Sequence, residues 1–224
     1  MLTVHHLNNS RSQRVLWLLE ELGVAYEIQR YQRDPKTMLA PSSLKKAHPL
    51  GKSPVVTDGE LTVAESGAII EYVLERYGQG RLAPPAASPA RQRYVYWLHY
   101  AEGSLMPLLV MKLIFARLKS ARVPFFVKPV MKMIVKNVSG GYLDPQLRQH
   151  LGFLEGELTR SAWFAGEEFS AADIQMSFPV EAAAARGGLG VDHPRLHAWL
   201  ERIKARPAYQ RALEKGGPFE LLTG

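Results

Sequence analysis

TVHHLNNSRSQRVLWLLEELGVAYEIQRY, residues 3–31, changes its hydrophobic period twice, and those two changes decide the fold. Thr3 to Leu7 reads as a strand. Val15, Leu16, Leu18, Leu19 and Leu22 then recur at helical spacing until Gly23 supplies a stop. Tyr26, Ile28 and Arg30 alternate with Glu27, Gln29 and Tyr31 as a second strand. A strand, a helix and a strand in this order imply a parallel pair, because the helix carries the chain back to the end where the first strand began.

Reading outward, Asp34-Pro35 has the form of an N-cap with proline at the first helical position, opening a short irregular helical stretch that Pro41 interrupts. SPVVTDGELTVAES, residues 53–66, holds two short apolar runs joined by Asp58-Gly59, the signal of a hairpin. Ile69, Ile70, Val73, Leu74 and Tyr77 form the next helical stripe, closed by Gly78. The predicted order β-α-β-α-β-β-α makes a mixed four-stranded sheet covered by helices. GQGRLAPPAASP, residues 78–89, has no periodicity and reads as a linker, after which every segment is helical. The expected organisation is α/β plus all-α: a sheet domain over 1–78, a linker over 79–89 and a helical bundle over 90–224.

Composition narrows the chemistry. The chain has 224 residues, 46% of them apolar, which suffices for a sizeable core. MLTVHHLNNSR lacks the apolar region of a signal peptide, and no apolar stretch is long enough for a transmembrane helix, so a soluble, cytoplasmic protein is expected. Cysteine is absent, which excludes disulfides, thiolate metal sites and a redox or nucleophilic cysteine; thiol chemistry needs a borrowed thiol. The net charge of +7 lies wholly between Gly103 and Leu143, where Lys112, Arg117, Lys119, Arg122, Lys128, Lys132 and Lys136 face no acidic residue in sequence. Such a segment suits a solvated helix face as well as an anionic partner.

Three short stretches carry chemistry. At the start of the first helix, Ser10 and Ser12 flank Arg11 where backbone N–H groups lack partners, a place that welcomes an anion or is capped by one of Asn8, Asn9, Ser10 and Ser12. In AESGAII, residues 64–70, Ser66 begins a helix and can hold a carboxylate while Glu65 holds an ammonium; the same pair also reads as plain capping. In HPLGKSPVV, residues 48–56, Pro54 opens an apolar run, and a cis Ser53–Pro54 bond would turn the Ser53 backbone outward, with Lys52 available for a second carboxylate.

With HHLNNSRSQRVLWLLEEL, HPLGKSPVV, VAESGAIIEYVLERYG, WLHYAEGSLMP and WFAGEEFSAADI in this order, the chain resembles a cytosolic-type glutathione transferase of the serine-type bacterial and fungal branch over nearly its whole length. The resemblance implies a thioredoxin-like first domain, glutathione as co-substrate and no metal. It also implies that the activating hydroxyl, four residues before the first-helix arginine Arg14, is Ser10. By the same resemblance Pro54 is the cis-proline, Ser53 pairs backbone to backbone with the cysteinyl part, Glu65 and Ser66 hold the γ-glutamyl end, and Lys52 faces the glycyl carboxylate with help from His48. Family members often carry a bulky apolar residue where this chain has Ser53. Asn9, Ser12 and a backbone amide remain rival donors to Ser10. The capping box Ser170-x-x-Asp173 matches one in the family's bundle and serves folding.

The activity so implied is attack of the glutathione thiolate on a small, apolar electrophile or on a peroxide oxygen, with Tyr100, Leu105 and Met106 as candidate walls of the acceptor pocket. The alternative is a glutathione-transferase-like protein that binds partners and catalyses nothing. Family resemblance further suggests a homodimer. The basic segment 103–143 admits peripheral membrane contact, although Pro124 and Pro129 break any continuous membrane-lying helix. No nucleic-acid partner is expected, since no helix-turn-helix or zinc spacing accompanies the charge.

Overall fold

The computed structural model describes residues 1–121 and 123–221. Strand β1 (Leu2–Leu7) pairs parallel with β2 (Glu27–Tyr31) and antiparallel with β3 (Val55–Asp58), which turns into β4 (Leu61–Ala64); the order across the sheet is β2-β1-β3-β4. This register sets Val4 between Ile28 and Val56, so one face of the sheet is continuously apolar. The hairpin turn consists of Gly59 and Glu60, and Gly59 takes φ +59° at the first central position, where a side chain would be strained.

Helix α1 (Ser12–Leu22) crosses between β1 and β2 and is buried on nearly every side; Val15, Leu16, Leu18 and Leu19 are fully enclosed. Gly23 ends it in the left-handed conformation, and the N–H groups of Gly23 and Val24 both reach the Leu19 carbonyl. Helix α2 (Ser66–Tyr77) sends Ile69, Ile70 and Val73 into the same core. The helical stretch expected at Asp34 does not form. The Asp34 carboxylate instead accepts from the Lys36 and Thr37 amides at 2.9 and 2.7 Å, closing a turn. That stretch has no apolar stripe to bury, and the only helical piece there is a 3₁₀ turn, Ser42–Lys46, after Pro41.

Beyond the linker come α3 (Pro89–Tyr100), α4 (Met106–Ser120), α5 (Lys128–Val138), α6 (Asp144–Arg160), α7 (Ala171–Ala182), α8 (Pro194–Lys204) and α9 (Pro207–Gly216). The residues from 91 to 120 read as one helix, yet a π-helical turn, Ala101–Leu105, separates α3 from α4. Pro107 has no N–H for the Gly103 carbonyl, and a widened turn accommodates its ring. The π-turn Ser139–Leu143 ahead of Pro145 follows the same rule. Ser170 and Asp173 form the expected capping box at the start of α7.

Helix α9 leaves the bundle and lies on α1. Arg211 and Lys215 meet Glu20 at 2.9 and 2.5 Å, Arg206 meets Glu21 at 2.6 Å, and Gly216 sits so close that an added Cβ would come within 2.8 Å of Leu16. His6 on β1 is 5% exposed beneath this junction, with Nδ1 2.9 Å from the Ser12 hydroxyl.

Burial, aided by the Arg30 charge and opposed by a hydrogen bond to the Gly216 backbone, pushes the His6 imidazole down to about 4. Between that value and the ordinary 6.5 the unfolded chain binds a proton that the folded chain does not. Stability from His6 is therefore complete above about pH 6.5 and falls by about 3 kcal/mol as pH drops towards 4. Urea unfolding of the wild type and His6→Gln over this range should show the wild type losing about 3 kcal/mol relative to the variant between pH 6.5 and 4; parallel profiles would refute it.

Candidate active site

Three loops meet at one end of the sheet: the β1–α1 loop, the stretch before β3 and the start of α2. They bound a cleft of about 380 Å³ whose walls include His48, Lys52, Ser53, Pro54, Glu65 and Ser66. All six binding residues picked out from sequence thus border one space, and the Ser53–Pro54 bond is cis. Glu65 holds φ +72°, a sparsely populated conformation for a residue with a side chain, at the turn from β4 into α2.

Ser10 stands just behind the wall. It is 3% exposed, and its hydroxyl lies 2.8 Å from the Ser12 hydroxyl and 3.4 Å from that of Ser53, which donates onward to the His5 carbonyl at 3.0 Å. The Ser12 amide also donates to Ser10 Oγ at 3.3 Å, so Ser10 satisfies a free N–H at the helix start as well. Around it, Asn9 Oδ1 accepts from the Glu220 amide, Asn8 Oδ1 accepts from the Arg33 amide, and the Ser12 hydroxyl is bonded to His6 and the Leu7 carbonyl.

Behind the cleft lies an ion network that joins the two domains. Arg14 is 2% exposed; its guanidinium donates to Glu102 at 2.5 Å, to the Ser66 hydroxyl at 3.0 Å and to the Gln175 carbonyl at 2.6 Å. The last bond exists because of Pro179, which lies inside α7 and has no N–H for the carbonyl four residues earlier, that of Gln175. Arg11 also reaches Glu102, at 2.9 Å. Burial alone would raise the Glu102 carboxyl, but the Arg14 and Arg11 guanidinium groups hold it below the usual carboxylate range. Because Ser66 accepts from Arg14, its own proton is free to be donated into the cleft.

Sequence reasoning missed Arg11, Arg33 and Glu102, which also border the cleft. Their signal was weak: Arg11 sits between the two serines, and Glu102 lies within the WLHYAEGSLMP stretch, but pairing across 91 residues leaves no local pattern. Of the expected acceptor walls, Tyr100 and Leu105 are core residues, the Tyr100 hydroxyl bonding to His150. The helical period could not separate core from wall. Met106 is also a core residue, 2% exposed, and it borders a second groove of about 200 Å³ that adjoins the cleft, Arg11 and Arg33 lining both.

A thioredoxin-like sheet domain with a cis-proline loop, facing an all-helical domain across a cleft, defines the structural class. Residues 1–75 match the family model for the glutathione S-transferase N-terminal domain and residues 121–207 that for its C-terminal domain. Glutathione S-transferase 3 of Schizosaccharomyces pombe is 35% identical over 96% of this chain and 88% of its own length. Glutathione S-transferase 1 of Saccharomyces cerevisiae is 33% identical over 96% and 95%. A glutathione S-transferase structure from Actinobacillus pleuropneumoniae superposes with a TM-score of 0.79 at 34% identity, covering 96% of this chain and 93% of that one. The chain belongs to the glutathione S-transferase family.

Proposed function

We propose that the cleft binds glutathione, that the Ser10 hydroxyl holds its sulfur as the thiolate, and that this thiolate attacks an electrophile in the contiguous groove. The observation that carries the reading is the grouping of Lys52, Ser53, Glu65 and Ser66 around one cleft with the Ser10 hydroxyl at its back. Lys52 suits the glycyl carboxylate, the Ser53 backbone the cysteinyl amide, Ser66 and the N–H groups opening α2 the γ-glutamyl carboxylate, and Glu65 its ammonium. His48 lines the same cleft as Lys52.

A free thiol has a pKa of about 8.5, and lowering it by two units takes just under 3 kcal/mol of preference for the anion. A hydrogen bond from Ser10 to a charged sulfur supplies about 1.5–3 kcal/mol, and the α1 N-terminus up to about 1 more. No general base is needed. The 3.4 Å bond to Ser53 is the weakest that Ser10 makes, so its proton is the one redirected to sulfur. At carbon, the sulfur lone pair forms a C–S bond while a halide leaves or an activated double bond takes up the electrons and a proton. At a hydroperoxide, the same attack on the terminal oxygen breaks the O–O bond, giving a sulfenic acid and an alkoxide that takes up a proton and leaves as the alcohol; a second glutathione then attacks the sulfenic sulfur, water leaves and the disulfide forms.

Ultraviolet titration of bound glutathione tests this directly. The wild type should hold a thiolate with a pKa about two units below 8.5. Ser10→Ala should raise it by at least about one unit and lower kcat/KM by about 10- to 100-fold. Depression that survives in Ser10→Ala and disappears in Arg11→Gln would reassign the role to Arg11, and no depression in either would end the thiolate reading. We propose also that the working form is a cytoplasmic homodimer, for which a monomeric mass at micromolar concentration would be decisive against. No helix among the described residues is long and apolar enough to cross a membrane.

A further inference from the structure

Between α4 and α5 the chain exposes side chains that a fold ordinarily covers. The Val127 N–H donates to the Pro124 carbonyl at 3.0 Å and closes a turn, and the two residues at its centre, Phe125 and Phe126, are 82% and 69% exposed. Val130, Met133 and Ile134 follow on α5, each about half exposed, while Val135 on the same helix is buried. Helix α5 thus covers one apolar stripe and leaves a second open on its outer side. Five large apolar side chains left open within residues 125–134 form a cluster, unlike the single exposed residues that any surface carries. Pro129, which from sequence was expected to break a helix here, stands in the first turn of α5, where its missing N–H leaves no bond unmade.

The same helix carries Lys128, Lys132 and Lys136, all exposed and four residues apart, so they run as one stripe along the flank of the uncovered apolar face. Lys119 is exposed at the end of α4, and from Gly103 to Leu143 the sequence holds seven basic residues and no acidic one. A second copy seated symmetrically on this face would set one lysine stripe against the other, with no carboxylate from the segment to separate them. Protruding phenylalanines flanked by lysines instead match an anionic lipid surface. The rings enter the headgroup and acyl boundary, the lysine stems lie along it and the ammonium groups reach the phosphates. We infer that the α4–α5 turn and the outer face of α5 dock this protein on a membrane surface rich in anionic phospholipid. The docking is independent of glutathione binding.

Flotation of the wild-type protein with vesicles of phosphatidylcholine alone, and with vesicles containing about one-third phosphatidylglycerol, makes the test. Partition onto the anionic vesicles should exceed that onto the neutral ones by about tenfold or more at about 50 mM salt, and fall severalfold at about 500 mM. Amide hydrogen exchange should slow within residues 125–134 when anionic vesicles are added, a readout that needs no variant. Phe125→Ala combined with Phe126→Ala should weaken binding to anionic vesicles by about tenfold or more, and Lys128→Gln, Lys132→Gln and Lys136→Gln together should remove the preference for them. Wild-type protein that ignores anionic vesicles, binds both kinds equally or is protected only outside residues 125–134 would overturn the inference. So would a folded lysine variant that keeps the preference. A phenylalanine variant with half the solution mass of the wild type would also overturn it, since the face would then join two copies of the chain. Retention by polyglutamate without binding to vesicles would assign the face to an acidic protein and overturn the lipid surface.

Discussion

Asp173→Ala lowers the unfolding free energy by about 3–5 kcal/mol, the largest stability effect expected from a single side chain here. The carboxylate is fully buried and receives the Phe164 amide at 3.0 Å, the Ser170 amide at 3.1 Å and the Trp199 indole N–H at 3.1 Å. Truncation strands these three donors and the Ser170 hydroxyl, which also donates to the carboxylate at 3.3 Å, and each such group costs about 1–3 kcal/mol, less than additively. Burial raises the Asp173 carboxyl to about 6 against the pull of those donors, so the site tolerates the protonated form. Asp173→Asn keeps one acceptor and should fall between the wild type and alanine. Urea unfolding followed by tryptophan fluorescence, with Trp199 as reporter, makes the measurement. A loss below about 1 kcal/mol for alanine would mean that the donors find other partners.

Arg14→Ala is expected to cost a similar amount, about 3–5 kcal/mol, and to weaken glutathione binding as well. It removes the partner of Glu102, orphans the Gln175 carbonyl that Pro179 leaves unbonded, and releases the Ser66 hydroxyl from its orientation. Glu102→Gln keeps a neutral acceptor for Arg14 and should cost less. A double-mutant cycle on Arg14 and Glu102, read by denaturant unfolding, should return a coupling of about 2–3 kcal/mol. A coupling near zero would make the pair an incidental neighbour. If glutathione affinity is unchanged in a folded Arg14 variant, Ser66 does not depend on Arg14 for its orientation.

Much of the architecture was legible in local pattern. The β-α-β unit, the hairpin at Asp58-Gly59, the stop at Gly23 and the Ser170–Asp173 box each depend on residues within four or so positions of one another, and each is present. Asp34 was misleading because an aspartate before a proline begins a turn as readily as a helix, and the apolar stripe that would have decided for the helix is missing. The helix predicted through 91–120 broke at a π-turn because Pro107 acts on a carbonyl four residues back, a consequence that hydrophobic period does not register.

The sequence by itself determined the order of elements, the absence of any cysteine of its own and the short stretches that come to border the cleft, since capping, turn chemistry and side-chain periodicity are local physics. Only the tertiary structure decided what stands behind and beside that cleft. Arg14 meets Glu102 across 88 residues and the Gln175 carbonyl across 161, and the groove gathers guanidinium groups from positions 11, 33, 117 and 186. These placements follow from how α1, α4 and α7 pack around a common core. Burial then sets their energetics, because charges that water would screen along an extended chain interact strongly once the fold has excluded it.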